Sequence, residues 1–183
     1  MSAPKLVIGA NGFLGSHVTR QLVADGHPVR VMVRPNASTI SIDDLDVERF
    51  IGDIWDNDVL RQAMAGVDDV YYCVVDTRGW LSDPPAPLFR TNVEGTRNVL
   101  NVALEFFSPP GRSAPTPPGS AALHRFIFTS SYVTVGRRRG RTVNETDIIK
   151  DQGLTPPTSA RGCRPRNWCC GTRVNRACPR SRC

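Results

Sequence analysis

The sequence predicts an α/β domain with a doubly wound parallel sheet. Three observations carry that expectation. Short apolar runs rich in β-branched residues alternate with segments of helical periodicity, the first run stops at a glycine-rich turn that opens a helix, and no internal repeat breaks the alternation. A chain of 183 residues is long enough to bury a core as one domain.

Taken in order, KLVI (5–8) is an apolar strand that ends in glycine. GSHVTRQLVADG (15–26) follows as a helix, with Leu14, Val18, Leu22 and Val23 at helical spacing and Gly26 as its stop. VRVMVR (29–34) and VERFIGD (47–53) read as the second and third strands, and DNDVLRQAMAG (56–66) as a helix capped by Asp56 or Asn57. DDVYYCVV (68–75) is the fourth strand, PLFRTNVEGTRNVLNVALEFF (87–107) a long amphipathic helix and RFIFTSS (125–131) the fifth strand. Between the last two lies a stretch over 106–122 with five prolines, which reads as a surface loop.

Charge and cysteine usage divide the chain unevenly. Its net charge of +6 comes from 23 basic and 17 acidic residues, but seven of the arginines and no acid lie in 158–183; without that tail, 16 bases face 17 acids and the net is −1. Five of the six cysteines (Cys163, Cys169, Cys170, Cys178 and Cys183) lie there too, and only Cys73 is in the body. The N-terminus runs straight into a strand with no signal pattern, and no apolar run reaches the roughly 18 residues of a membrane span. The expectation is a cytoplasmic protein with neither a membrane nor a nucleic-acid partner.

The turn GANGFLG spaces Gly9, Gly12 and Gly15 three apart, after a strand and at the opening of a helix. A pyrophosphate approaching that helix N-terminus meets free N–H groups and partial positive charge, and glycine removes the Cβ that would block it. The turn therefore predicts a dinucleotide site, against the alternative of a merely structural turn. The second strand ends in Arg34, where an NAD-preferring site tends to hold an acid. An arginine there pairs with a ribose 2′-phosphate, so NADP is the expected cofactor and NAD the alternative, unless Arg34 simply ends the strand in water.

With these motifs in place, the chain resembles the extended short-chain dehydrogenase/reductase family. Within it, the resemblance is to the NAD-dependent epimerase/dehydratase group, nearest its dihydroflavonol-reductase-like and sugar-epimerase-like branches. GANGFLG matches the family's glycine turn, with Ile8 where Thr is usual, so Gly9, Asn11, Gly12, Phe13, Leu14 and Gly15 become cofactor contacts. GDI (52–54) matches the adenine-contacting segment, giving Asp53 and Ile54 that role. YYCVVD occupies the cofactor-lining strand end, with Cys73 and Val74 as contacts although small residues are usual there. NVEGTRNVL carries the family's structural asparagine as Asn92, and RFIFTSSYVTVG carries its catalytic serine as Ser131. The resemblance implies a Rossmann-type fold with strand order 3-2-1-4-5, hydride transfer at a hydroxyl or keto carbon of a small-molecule substrate, and room for a homodimer. It covers residue 5 to about residue 153.

The family's chemistry also needs a Tyr-x-x-x-Lys pair beyond the serine. The three tyrosines are Tyr71, Tyr72 and Tyr132, and Lys150 is the one lysine beyond the fifth strand. Tyr132 next to Ser131 on a strand would face the other way, so Ser131 lacks its partners and turnover is expected to be impaired. A non-catalytic dinucleotide-binding sensor or scaffold is the alternative. The tail offers an account of the gap. Read one base earlier with GC-rich codons, Thr158 onward is compatible with YVRSRVQAEKLVLRYA, an amphipathic helix opening on tyrosine, although four residues later that frame allows Arg, Gly or Trp and never Lys. The expectation is a domain over 1–157, truncated at its C-terminus, and an out-of-frame or disordered tail over 158–183. The rival readings of the tail are weaker. Its cysteines lack paired CxxC spacing and a histidine, so no metal site is expected, and seven arginines beside one aromatic make a poor nucleic-acid arm. GRRRGR (136–141) reads as a solvated loop.

Overall fold

All five expected strands form, each shorter than or equal to its sequence reading: β1 (Lys5–Ile8), β2 (Val29–Val33), β3 (Glu48–Ile51), β4 (Asp69–Tyr72) and β5 (Arg125–Phe128). Between them lie α1 (Phe13–Ala24), α2 (Asn57–Met64) and a helical stretch made of α3 (Ala86–Phe89), a π-helical segment (Arg90–Gly95) and α4 (Thr96–Leu104). The structure, a computed structural model, describes residues 2–77, 86–107, 122–131, 140, 142 and 144. The chain divides into two units, Met1–Thr129 and Ser130–Cys183, and these elements all belong to the first.

The strands make one parallel sheet in the order β3-β2-β1-β4-β5, the doubly wound order expected. Register runs evenly outward from β1: Ile8 pairs with Met32 on one side and with Tyr72 on the other. Alternation along β1 separates two cores. Leu6 and Ile8 pack with Leu60, Met64 and Val99 on the face covered by α2 and α4. Val7 packs with Val31, Val33, Leu22 and Ile42 on the face covered by α1. A strand buried on both faces is continuously apolar, which is why KLVI shows no polar alternation.

Three readings need correction. The long helix over 87–107 is interrupted by the π-helical segment, whose Gly95 sits so close to Ile54 that a Cβ there would fall on the Ile54 Cδ1. The buried face of α1 is Gly15, Ser16, Thr19 and Leu22, while Leu14 stays exposed, because small residues let the helix lie close to the turn before it. The fourth and fifth strands end at Tyr72 and Phe128, so residues 73–75 and 129–131 are not strand, and the alternation used to turn Tyr132 away from Ser131 does not apply. Tyr132, Lys150 and the tail over 158–183 lie outside the described residues, as does GRRRGR except Gly140. Of the proline-rich stretch, 108–121 lies outside them, while Phe106 is core, its carbonyl accepting from the Leu123 N–H at 3.0 Å. Among the described residues, no helix is long and apolar enough to cross a membrane.

Candidate functional site

The C-terminal ends of β1, β2, β3 and β4 deliver Gly9, Arg34, Asp53 and Cys73 to one edge of the sheet. Strand order reverses at β1, between β2 and β4, and such a switch point is where open α/β sheets leave a crevice for ligand.

The three glycines of the turn have three different reasons to be glycine. Gly9 has φ of +84°, and a Cβ there would press on Val74 and the Cys73 carbonyl at 3.0–3.2 Å. Gly15 lies against the turn itself, where a Cβ would fall on the Gly9 carbonyl oxygen. Gly12 differs: its φ of −77° and ψ of 168° suit any residue, and a Cβ would meet only the Gly9 oxygen, at 3.4 Å. The space above Gly12 is therefore not filled by the described residues. Gly12 also caps α1 without a side-chain hydrogen bond, and the first turn holds no acid, so the positive end of the helix is uncompensated. Phe13 and Leu14, which follow it, have exposed side chains. The crevice thus has the donor set and the opening that a pyrophosphate needs.

At the end of β2, Arg34 is exposed and makes no side-chain hydrogen bond or ion pair among the described residues. At the end of β3, Gly52 bonds back to Val33 through its N–H at 3.0 Å, and its missing Cβ makes room for Val59 of α2. Asp53 then accepts from the Trp55 N–H at 3.3 Å, and the carbonyl of the buried Ile54 accepts from Asn98 at 2.8 Å. Trp55 carries the Arg90 guanidinium 5.1 Å from its ring centroid.

Asn92 sits in the π-helical segment, and its carboxamide clamps the backbone of one residue: Oδ1 accepts from the Asp76 N–H at 2.7 Å, and Nδ2 donates to the Asp76 carbonyl at 2.8 Å. The clamp fixes the chain that leaves β4. A π turn supplies the local widening, and such turns recur at functional sites. Cys73 bonds through its N–H to the Ile8 carbonyl at 2.9 Å, beside the glycine turn. Burial pushes its thiol pKa up, offset in part by the Thr129 hydroxyl 3.9 Å away.

The sequence brings Gly9, Asn11, Gly12, Gly15, Cys73 and Val74 together around one turn, with Asn92 behind the β4 end. Ser131 belongs to the second unit, two residues past Thr129. Neither described tyrosine is free to act as the general acid/base. Tyr72 is 1% exposed with its hydroxyl 3.1 Å from that of Thr96, and burial, with a smaller push from the Asp53 charge, raises its pKa. Tyr71 packs on the α1 face. The role of Asn11 in holding the next loop escaped the sequence reading, because it depends on contacts 27 and 30 residues away.

Known proteins align with this architecture. The sequence model of the NAD dependent epimerase/dehydratase family matches residues 5–159. A protein of Synechocystis sp. that carries the name of a dihydroflavonol 4-reductase is 31% identical over 130 residues, covering 71% of this chain and 33% of that protein. The crystal structure of gox2253 superposes with a TM-score of 0.66 at 35% identity, over 81% of this chain and 41% of that one. A short-chain dehydrogenase/reductase superfamily protein from Agrobacterium tumefaciens, solved with bound NAD, is 27% identical with a TM-score of 0.53, over 73% of this chain and 34% of that one. The chain spans about a third of the length of the curated relatives it matches.

Proposed function

We propose a function from the premise that this chain belongs to the NAD dependent epimerase/dehydratase family: it is the dinucleotide-binding portion of an NADP-dependent oxidoreductase acting on a hydroxyl or keto group of a small molecule, with NAD as the alternative cofactor. The observation that carries the reading is the open position over Gly12, next to an uncompensated helix N-terminus at the sheet's switch point. The bound relative from Agrobacterium tumefaciens supports the ligand class.

In this reading the turn from Gly9 to Gly15 admits the pyrophosphate, Asp53 and Ile54 hold the adenine, and Arg34 pairs with the 2′-phosphate. Cys73 and Val74 line the crevice, Asn92 keeps its wall in place, and Ser131 donates to the substrate oxygen. When bound, the dinucleotide supplies the hydride acceptor or donor. A general acid/base must also move a proton at the substrate oxygen. No tyrosine follows Tyr132 in the 183 residues, and Tyr72 is locked in the core. In this reading the chain lacks the family's Tyr-x-x-x-Lys pair beyond Ser131, so it binds dinucleotide with impaired turnover. The same observation favours a non-catalytic sensor as the second reading. A cytoplasmic location agrees with the scarcity of cysteine in the body of the chain.

Titrating NADPH into the chain and then assaying turnover on alcohols and ketones separates these readings. Tight binding with turnover far below that of an intact relative is expected; no binding of either dinucleotide would overturn both. Arg34→Asp tests the cofactor choice. It removes a charge-assisted partner of the 2′-phosphate and adds an acceptor for a ribose hydroxyl, so NADPH should lose roughly 1.5–3 kcal/mol relative to NADH, about ten- to 150-fold. An unchanged preference would mean that Arg34 merely ends its strand.

A further inference from the structure

The segment after β2 is fastened to the glycine turn by contacts that pyrophosphate binding does not require. Residues 34–37 form a tight turn in which the Ala37 N–H donates to the Arg34 carbonyl at 3.2 Å. Pro35 sets the second position, and Asn36 takes the third with φ of +59°, the arrangement of a type II turn. Asn11, inside the glycine turn, donates from Nδ2 to the Ser38 carbonyl at 3.1 Å and accepts at its own carbonyl from the Ser41 hydroxyl at 3.3 Å. From α1, Arg20 donates to the Ser41 carbonyl at 2.8 Å and forms a two-pronged pair with Asp44 at 2.6 and 2.8 Å. Ile42, fully buried, roots the segment in the α1-side core. A stretch held at 38, 41, 42 and 44 arrives already folded, with Arg34 and Ser38 exposed on it.

We propose that the clasp between Asn11 and Ser38/Ser41 is the positioning device for cofactor discrimination at the adenosine ribose. This inference rests on the NADP reading of Arg34. A ligand that carries a 2′-phosphate needs the segment bearing Arg34 in one place, whereas a ligand with a free 2′-hydroxyl gains little from it. Without the clasp the segment keeps its anchors at Arg20 and Ile42 but is held less closely against the glycine turn, and the cost of bringing it into place is subtracted from affinity for the phosphorylated ligand alone. Asn11 and Ser41 are positioning residues here; Arg34 makes the contact.

The test is calorimetric titration of the full chain and its variants with NADPH, NADH, 2′,5′-ADP and 5′-ADP. Ser41→Ala removes one hydroxyl outside the pyrophosphate turn. It should weaken NADPH and 2′,5′-ADP by about fivefold and leave NADH and 5′-ADP within about twofold. Asn11→Thr, which loses both the reach and the amide donor, should lower the ratio of NADPH to NADH affinity by about tenfold. The ratio is the readout, because a general loosening of the turn would weaken all four ligands alike. If Arg34→Asp shifts the preference but neither clasp variant does, the positioning role is overturned and the reading of Arg34 stands. If the parent chain binds NADPH and NADH alike and Arg34→Asp is neutral, the reading of Arg34 falls and takes the clasp's role with it.

Discussion

Gly12→Val should give a folded protein that no longer binds dinucleotide. The backbone at Gly12 lies in a region open to every residue, and a Cβ there meets only one backbone oxygen, at 3.4 Å. The fold therefore accepts the side chain; the ligand does not, because the valine occupies the approach to the free N–H groups of α1. Loss of those contacts should weaken NADPH binding by on the order of a hundredfold or more, about 2.7 kcal/mol. The melting temperature without ligand should stay within about 4 °C of the parent, the shift worth about 1 kcal/mol. Gly9 and Gly15 give no such clean separation, since one has a left-handed backbone and the other lies on a carbonyl. A folded Gly12→Val chain with unchanged NADPH affinity would remove the glycine turn from the site.

Asp69→Ala should produce the largest loss of stability, and one that depends on pH. The carboxylate is 1% exposed and stands between Lys5 of β1 and Arg125 of β5, with which it is in strand register. It accepts from Lys5 at 2.7 Å and from two nitrogens of Arg125, each at 2.7 Å. Removing one partner of a buried pair costs about 3–5 kcal/mol, and the low end applies here. The reason is that Arg125 can rehydrate and Lys5 keeps Asp68 at 2.9 Å. Burial pushes the Asp69 carboxyl pKa up, but the bonds from Arg125 and Lys5 together outweigh it and hold the group below its ordinary 3.8. A folded-state value below the unfolded one stabilises the protein above the unfolded value, and that contribution disappears as pH falls through the folded one. Lys5 runs the other way: burial lowers its pKa, the two aspartates more than restore it, and its contribution holds below 10.5 and is lost in stronger alkali. Urea unfolding of parent and Asp69→Ala at pH 7 and again near pH 3 should show the difference shrinking in acid. An equal difference at both would mean that Asp69 acts through shape, not charge.

How legible the molecule was depends on the range of each interaction. The apolar run at Lys5–Ile8 could be read directly and the cap of α2 to within one residue, Asp56 or Asn57, since a buried parallel strand and an N-cap are local patterns. The ends of β4 and β5 could not, because strands stop where their neighbours stop and sequence does not print the neighbour. The ladder from Lys5 to Asp69 to Arg125 left a trace that went unread: each residue is the first of its strand. Charges at strand starts look like solvent-facing residues until the register, with separations of 64 and 56 residues, puts them side by side. Asn92 was legible as structural by resemblance, but its partner, the backbone of Asp76, was not. The π turn that presents Asn92 left one visible mark, Gly95 inside a helical pattern.

The central position of β1 has a consequence for how the chain is made. Of the five described strands, the one earliest in the chain is enclosed most completely, and one of its two neighbours, β4, begins 64 residues later. Until β4 leaves the ribosome, one edge of Lys5–Ile8 has only water or another chain to pair with. Parallel pairing over such separations closes slowly, and the waiting strand is apolar on both faces. The β1–α1–β2 unit, whose strands pair 24 residues apart, can form while the rest is still being translated and shelter one side. The other side stays open to chaperones and to misassembly until Asp69 arrives to meet Lys5.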